Sequence, residues 1–152
     1  MVEFERILFP TDFSESAENA QEYAISLAQK YESKIYVIHV VEPFTYTVDF
    51  GIDYGTQYKE IEASAKKFLK EVVASVKNSN IDVEGVVLSG EPFVEIIKYA
   101  KQEQVNLIVM ATHGRTGIIE HMLLGSVAEK VVRKSSCPVL TVKKTGQTFI
   151  MP

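Results

Sequence analysis

The stretch Arg6-Ile7-Leu8-Phe9-Pro10-Thr11-Asp12-Phe13-Ser14-Glu15 decides the fold. It opens with an apolar run that does not alternate, as expected for a strand buried on both faces. It then turns through small and acidic residues into a stripe with helical period: Ala17, Ala20, Ala24, Leu27, Ala28 and Tyr31. Apolar residues at three- and four-residue steps mark the buried face of a helix. The alternation continues down the chain. Ile35-Tyr36-Val37-Ile38-His39-Val40-Val41, Leu107-Ile108-Val109-Met110 and Pro138-Val139-Leu140-Thr141-Val142 share the doubly buried character of the first run. Ile81-Asp82-Val83-Glu84-Gly85-Val86-Val87-Leu88 alternates at its start and reads as half exposed. Between these runs lie three more helical stripes. One carries Ile61, Ala65, Phe68, Leu69, Val72, Val73 and Val76; a shorter one carries Phe93, Ile96, Ile97 and Ala100; the last carries Val127, Ala128, Val131 and Val132.

Strict alternation of strand and helix predicts an α/β class protein. Right-handed crossovers favour one layout: a single doubly wound five-stranded parallel sheet with helices on both faces, in the order 3-2-1-4-5. Such sheets bind ligands beyond the carboxyl ends of the strands, where the winding reverses. Residues 1–144 are expected to form this domain and residues 145–152 a C-terminal tail ending in Phe149-Ile150-Met151-Pro152, either frayed or docked on a partner subunit. Residues 42–57 form a long aromatic-rich connection. It reads either as a lid or contact surface, or as a surface loop ordered by its own aromatics.

With 152 residues, 46% of them hydrophobic and 24% charged, the chain is long enough for one self-sufficient core. Sixteen basic against twenty acidic residues give a net charge of −4, the wrong balance for a protein that lives by phosphate contacts to DNA or RNA. One cysteine and three histidines lack metal-site spacing. The first residues carry no basic, then apolar, leader, and no apolar run approaches the ~18 residues of a membrane span. A cytoplasmic protein with neither nucleic acid nor membrane as partner is expected.

Chemistry is expected in two loops. After the first strand, Asp12 and Glu15 have capping-box-like spacing. Alternatively, Asp12 faces a ligand crevice, where it could accept from a ribose hydroxyl or help hold a magnesium ion. After the fourth strand comes Ala111-Thr112-His113-Gly114-Arg115-Thr116-Gly117, and then Gly125-Ser126-Val127-Ala128-Glu129 opening the last helix. Ser126 and Glu129 have capping-box spacing. Gly114, Gly117 and Gly125 are equally readable as turn and cap glycines, or as places where backbone N–H groups approach an anion closely. In the second reading the helix N-terminus adds the positive end of a dipole and Arg115 a charge-assisted contact. The pattern is not a P-loop, and it follows the wrong strand for a dinucleotide fingerprint. No Gly-x-Ser-x-Gly elbow is present, and Asp12 lacks the acidic companion that a phospho-receiver domain requires.

These residues resemble the nucleotide-binding branch of the universal stress protein family over roughly residues 3–143. The resemblance rests on Ile7-Leu8-Phe9-Pro10-Thr11-Asp12-Phe13-Ser14, His39-Val40 and Gly90-Glu91-Pro92. It rests above all on His113-Gly114-Arg115-Thr116-Gly117, Leu124-Gly125-Ser126-Val127-Ala128-Glu129 and Cys137-Pro138-Val139-Leu140-Thr141-Val142. It implies ATP held by a pattern of Gly, two residues, Gly, nine residues, Gly, then Ser or Thr. The second and third glycines fall on Gly114 and Gly125, the Ser on Ser126, and the first glycine on Ala111. Further contacts fall on Pro10, Thr11 and Asp12, and an adenine contact on Val40. Met110, Arg115 and Val127 complete the candidate set. The sequence departs from the pattern at Ala111, and by holding ten residues between Gly114 and Gly125.

Of the remaining residues, His39 reads as a satisfied core histidine, His113 as a loop-ordering one and His121 as a surface one. Cys137 is expected to be buried and inert. Lys130, Arg133 and Lys134 suit the negative end of the last helix. Three functions fit. The first is an ATP-binding stress-response protein acting as a nucleotide-dependent switch or interaction module. The second is a slow ATPase or phosphotransferase. The third is a dimeric interaction protein with a vestigial site. All three go with a homodimer through Val139–Val142, an apolar edge strand that needs cover, and with a protein partner the sequence does not identify.

Overall fold

The computed structural model describes residues 1–43, 54–114 and 124–144. In chain order the elements are β1 (Arg6–Pro10), α1 (Glu15–Tyr31), β2 (Lys34–Val41), α2 (Tyr54–Lys77), β3 (Val83–Ser89), α3 (Pro92–Gln102), β4 (Leu107–Ala111), α4 (Ser126–Lys134) and β5 (Val139–Val142). The five strands are all parallel, in the order β3-β2-β1-β4-β5, as the alternation predicts.

The pleat splits β1 between two cores, because successive side chains leave a strand on opposite faces. Ile7 and Phe9 pack under α1 and α2, whereas Leu8 packs under α3 and α4. All three are fully buried, as are Ile35, Val37 and Ile38 beside them. Each such side chain stabilises the fold by roughly 1.5–3 kcal/mol. Four alanines, Ala17, Ala20, Ala24 and Ala28, form the buried face of α1, so this helix lies close against the central strands.

Several apolar residues of the expected stripes stay outside. Tyr31, Ile61, Phe68 and Val132 are exposed. Tyr31 instead meets Phe4 edge to face at 5.2 Å. β3 is half exposed, as its alternation predicts. β5 is not buried on both faces: only Val142 is buried, and Leu140 is 37% exposed. The reason is its place at the sheet edge, where among the described residues only β4 pairs with it.

At the amino ends of the strands, side chains stitch the loops down. The Asn106 side-chain oxygen accepts from Arg6 N–H at 2.8 Å, and Asn106 N–H donates to Arg6 O at 2.9 Å. The Arg6 guanidinium donates to Glu103 O at 2.9 Å. Ser33 Oγ donates to Phe4 O, and Lys34 N–H to Glu5 O at 2.9 Å.

Candidate functional site

The chain turns one way from β1 to β2 and the other way from β4 to β5. The loops after β1 and β4 therefore part to opposite faces and leave a crevice at the carboxyl ends. A cavity of about 390 Å³ lies there. Pro10, Thr11 and Asp12 line it from β1, and Ile38, His39, Val40 and Glu42 from the end of β2. Met110, Ala111, Thr112, His113 and Gly114 come from β4, and Gly125, Ser126, Val127 and Ala128 from the first turn of α4. Pro92 and Ile96 of α3 and Ala17 of α1 complete the wall. Every candidate nucleotide residue lies on this cavity except Arg115, which falls outside the described residues, as do Gly117, His121, most of the aromatic connection and the tail.

Some lining residues escaped sequence reasoning. Ile38 could have been found, because it shares the face of Val40 two residues on. Ile96 was legible only as core, and Pro92 only as part of a motif. For Glu42 no local signal exists.

The β1 loop is held by its own side chains. Thr11 N–H donates to Ile38 O at 2.9 Å, fixing the loop to β2. Thr11 Oγ1 accepts from Phe13 N–H and Asp12 Oδ1 from Ser14 N–H, both at 3.0 Å. Ser14 Oγ then caps α1 by accepting from Ala17 N–H at 3.2 Å. The capping box of Asp12 and Glu15 is thus corrected. Phe13 takes a left-handed φ of 63°, which delays the helix, and Ser14 becomes the cap. Glu15 instead pairs with Lys144 at 3.0 Å. Asp12 braces the turn with one oxygen and presents the other to Gly114. A Cβ added at Gly114 would lie 2.6 Å from Asp12 Oδ2, so the carboxylate would have to move to admit it.

The second loop is tied to the helix it feeds. Gly125 N–H donates to Thr112 O at 2.6 Å, and a Cβ on Gly125 would come within 3.0 Å of that carbonyl oxygen. The tie holds α4 at the cavity although ten residues separate the two glycines. Gly125 is the N-cap of α4 and Ser126 its first helical residue, so the capping box of Ser126 and Glu129 is also corrected; Glu129 pairs with Arg133 instead. Its N-cap is a glycine, which has no side chain to accept from the first turn. The first-turn N–H groups of Ser126 and Val127 have no acceptor within the helix. They offer the positive end of its dipole to the cavity.

His39 is satisfied, as expected. Its Nδ1 lies 2.8 Å from Thr11 O, and its ring packs on Phe13 with centroids 4.4 Å apart. His113 Nδ1 lies 3.0 Å from Thr112 Oγ1, consistent with a loop-ordering role. Cys137 is half-buried rather than buried, its Sγ 3.4 Å from Ser135 Oγ. Arg133 and Lys134 stand in the last turn of α4, and Lys130 reaches Glu91 at 3.6 Å.

The perturbed titratable groups lie away from the cavity. A hydrogen bond from Lys34 to Glu84 at 2.8 Å raises the lysine's pKa. Burial raises that of Tyr99, whose ring meets Tyr36 at 5.8 Å. Among the described residues no group of three or more His, Cys, Asp or Glu could hold a metal ion, and no helix is long and apolar enough to cross a membrane.

The sequence profile of the universal stress protein family matches residues 3–143. The chain belongs to this family. Universal stress protein MJ0531 of Methanocaldococcus jannaschii is 34% identical over 143 residues, which span 93% of this chain and 83% of the relative. The solved structure of MJ0577, from the same organism, superposes with a TM-score of 0.84 at 28% identity, covering 96% of this chain and all of the other. A universal stress protein from Archaeoglobus fulgidus, solved in complex with dAMP, shares the fold with a TM-score of 0.67 at 24% identity, over 93% of this chain and 98% of that one. The five-stranded parallel order found here is thus that of a universal stress protein.

Proposed function

We propose that this chain binds ATP in the carboxyl-end cleft and acts as a nucleotide-dependent switch or interaction module. The observation that carries the reading is the close approach of bare backbone at one end of the cavity. Gly125 leaves little room for a side chain against the Thr112 carbonyl, and a side chain at Gly114 would have to push the Asp12 carboxylate aside. The glycine-capped terminus of α4 lies on the same cavity. A volume of about 390 Å³ falls within the range of about 300–1,000 Å³ typical of small-molecule sites.

The lining divides by chemistry. Val40, Met110 and Ile38 offer apolar surface for a base, and Asp12 Oδ2 an acceptor for a ribose hydroxyl. Gly114 and the N–H groups of Ser126 and Val127 suit phosphate oxygens, with Arg115 as an added cation. Asp12 supplies one carboxylate toward magnesium, and the phosphates would supply the other oxygens. The dAMP held by a protein of the same fold agrees with an adenine nucleotide as the class of ligand.

Denaturing the protein, purified without added nucleotide, and weighing the released small molecules tests the reading. An adenine nucleotide in proportion to protein is expected. Absence of any nucleotide, with no uptake by the stripped protein, contradicts it.

A homodimer through β5 belongs to the same proposal. The strand offers an edge unpaired among the described residues, with Leu140 exposed on it. Unpaired strand edges invite a second chain. Sedimentation should give a dimer; a monomer at all concentrations contradicts this.

A further inference from the structure

A second cavity, of about 690 Å³, lies between α1 and α2. Its two walls have the same spacing. Glu18, Gln21, Glu22 and Ile25 line it from α1, and Phe68, Glu71, Val72 and Ser75 from α2. Each set follows the i, i+3, i+4, i+7 rule of a single helix face, so the groove runs two turns, about 10 Å. Gln21 Nε2 donates to Ser75 Oγ at 3.2 Å and ties the walls together.

The floor is apolar and the rim acidic. Phe13 and Phe68 meet with ring centroids 5.5 Å apart, yet Phe68 remains 44% exposed. Ile25 and Val72 are only half-buried. Glu18, Glu22 and Glu71 stand exposed, and among the described residues no lysine or arginine pairs with them. Aromatic surface left open beside three unneutralised carboxylates is complementary to one kind of surface. That surface carries apolar side chains flanked by Lys or Arg.

We propose that the α1–α2 groove docks a basic amphipathic helix from a partner protein. Two parallel ridges two turns long match the ridge of a third helix, whose apolar stripe would cover Phe13 and Phe68. Its flanking cations would face Glu18, Glu22 and Glu71, which steers encounter and fixes orientation. The aromatic floor would be left uncovered by a small polyamine. The groove stands apart from the nucleotide cleft, sharing only Thr11 with it, and does not depend on ATP being bound.

The test uses the full chain and a fluorescent amphipathic peptide of about 15 residues, long enough to hold a helix. It carries Leu on one face and Lys and Arg on its flanks. Saturable binding is expected, weakening as salt rises, with amide shifts in the protein's NMR spectrum confined to the two walls and Phe13. Replacing Glu18, Glu22 and Glu71 together by Gln should weaken binding about tenfold or more, with the thermal midpoint unchanged. Phe68→Ser should weaken it with the charge untouched. Four results would overturn the proposal: no saturable binding; shifts mapped to another surface; equal binding of a scrambled peptide of the same composition; or full displacement by spermine at matched charge, which would make the groove a small-cation site.

Discussion

The two ends of the sheet use the same strands and are closed by opposite means. At the amino end, polar side chains are committed to backbone groups. Asn106 exchanges hydrogen bonds with Arg6, the Arg6 guanidinium reaches Glu103 O, and Ser33 reaches Phe4 O. At the carboxyl end two of the lining residues are glycines, and one of them is the N-cap of α4. Gly114 and Gly125 bring bare backbone to a cavity of about 390 Å³. The amino end ties backbone groups internally, whereas on the proposed function the carboxyl end offers its donors to a nucleotide. Substitutions at the first should therefore change stability and leave binding alone, and substitutions at the second should do the reverse.

The largest effect is expected at Gly114. Valine there pushes the Asp12 carboxylate aside and puts bulk into the cavity wall, and ATP affinity should fall by about a hundredfold or more, roughly 2.8 kcal/mol. Because Gly114 is exposed, the thermal midpoint should move little. Calorimetry paired with thermal unfolding checks both halves. Asn106→Ala makes the mirror case. It strands Arg6 N–H and should lower stability by about 1–3 kcal/mol in a urea titration, with ATP affinity unchanged. Loss of binding in Asn106→Ala would break the division between the ends.

A smaller effect is expected from Asp12→Asn. The amide oxygen can still accept from Ser14 N–H, so the loop should persist, while the charge that the proposed function assigns to magnesium and ribose is lost. ATP affinity measured with magnesium should fall about fivefold, near 1 kcal/mol, and stability should hold within about 0.5 kcal/mol. An unchanged affinity would remove Asp12 from the ligand.

The smallest effect is alkaline and belongs to the amino end. Tyr99 and Lys34 both have folded pKa values raised above their ordinary values of 10.0 and 10.5. A raised folded pKa contributes stability that is full below the unfolded value and is lost as pH rises through the folded one. Unfolding free energy should thus begin to fall above about pH 10. Tyr99→Phe should shallow that fall, with Lys34, whose pair with the exposed Glu84 is screened by solvent, adding little. A fall equally steep in Tyr99→Phe would place its origin elsewhere.

Much of this contrast was legible in the sequence. The runs Arg6–Phe9, Ile35–Val41 and Leu107–Met110 gave the central strands nearly to the residue, because doubly buried strands carry uninterrupted apolar character. Small residues after β1 and β4 located the cleft. The helix caps were misread, because capping-box spacing cannot reveal the left-handed turn at Phe13 or the tie from Gly125 to Thr112. The apolar run of β5 alone reads as doubly buried, and it is the predicted strand order that puts it at the sheet edge, where it is found half exposed. The α1–α2 groove was illegible, since it depends on how two helices separated by β2 come to lie side by side.

The most direct test is calorimetric titration of ATP into nucleotide-stripped protein, wild type beside Gly114→Val. A single site of about micromolar affinity in the wild type, absent from a folded Gly114→Val, is the predicted result. No heat from ATP, ADP or AMP with the folded wild type, or equal binding by both proteins, would contradict it.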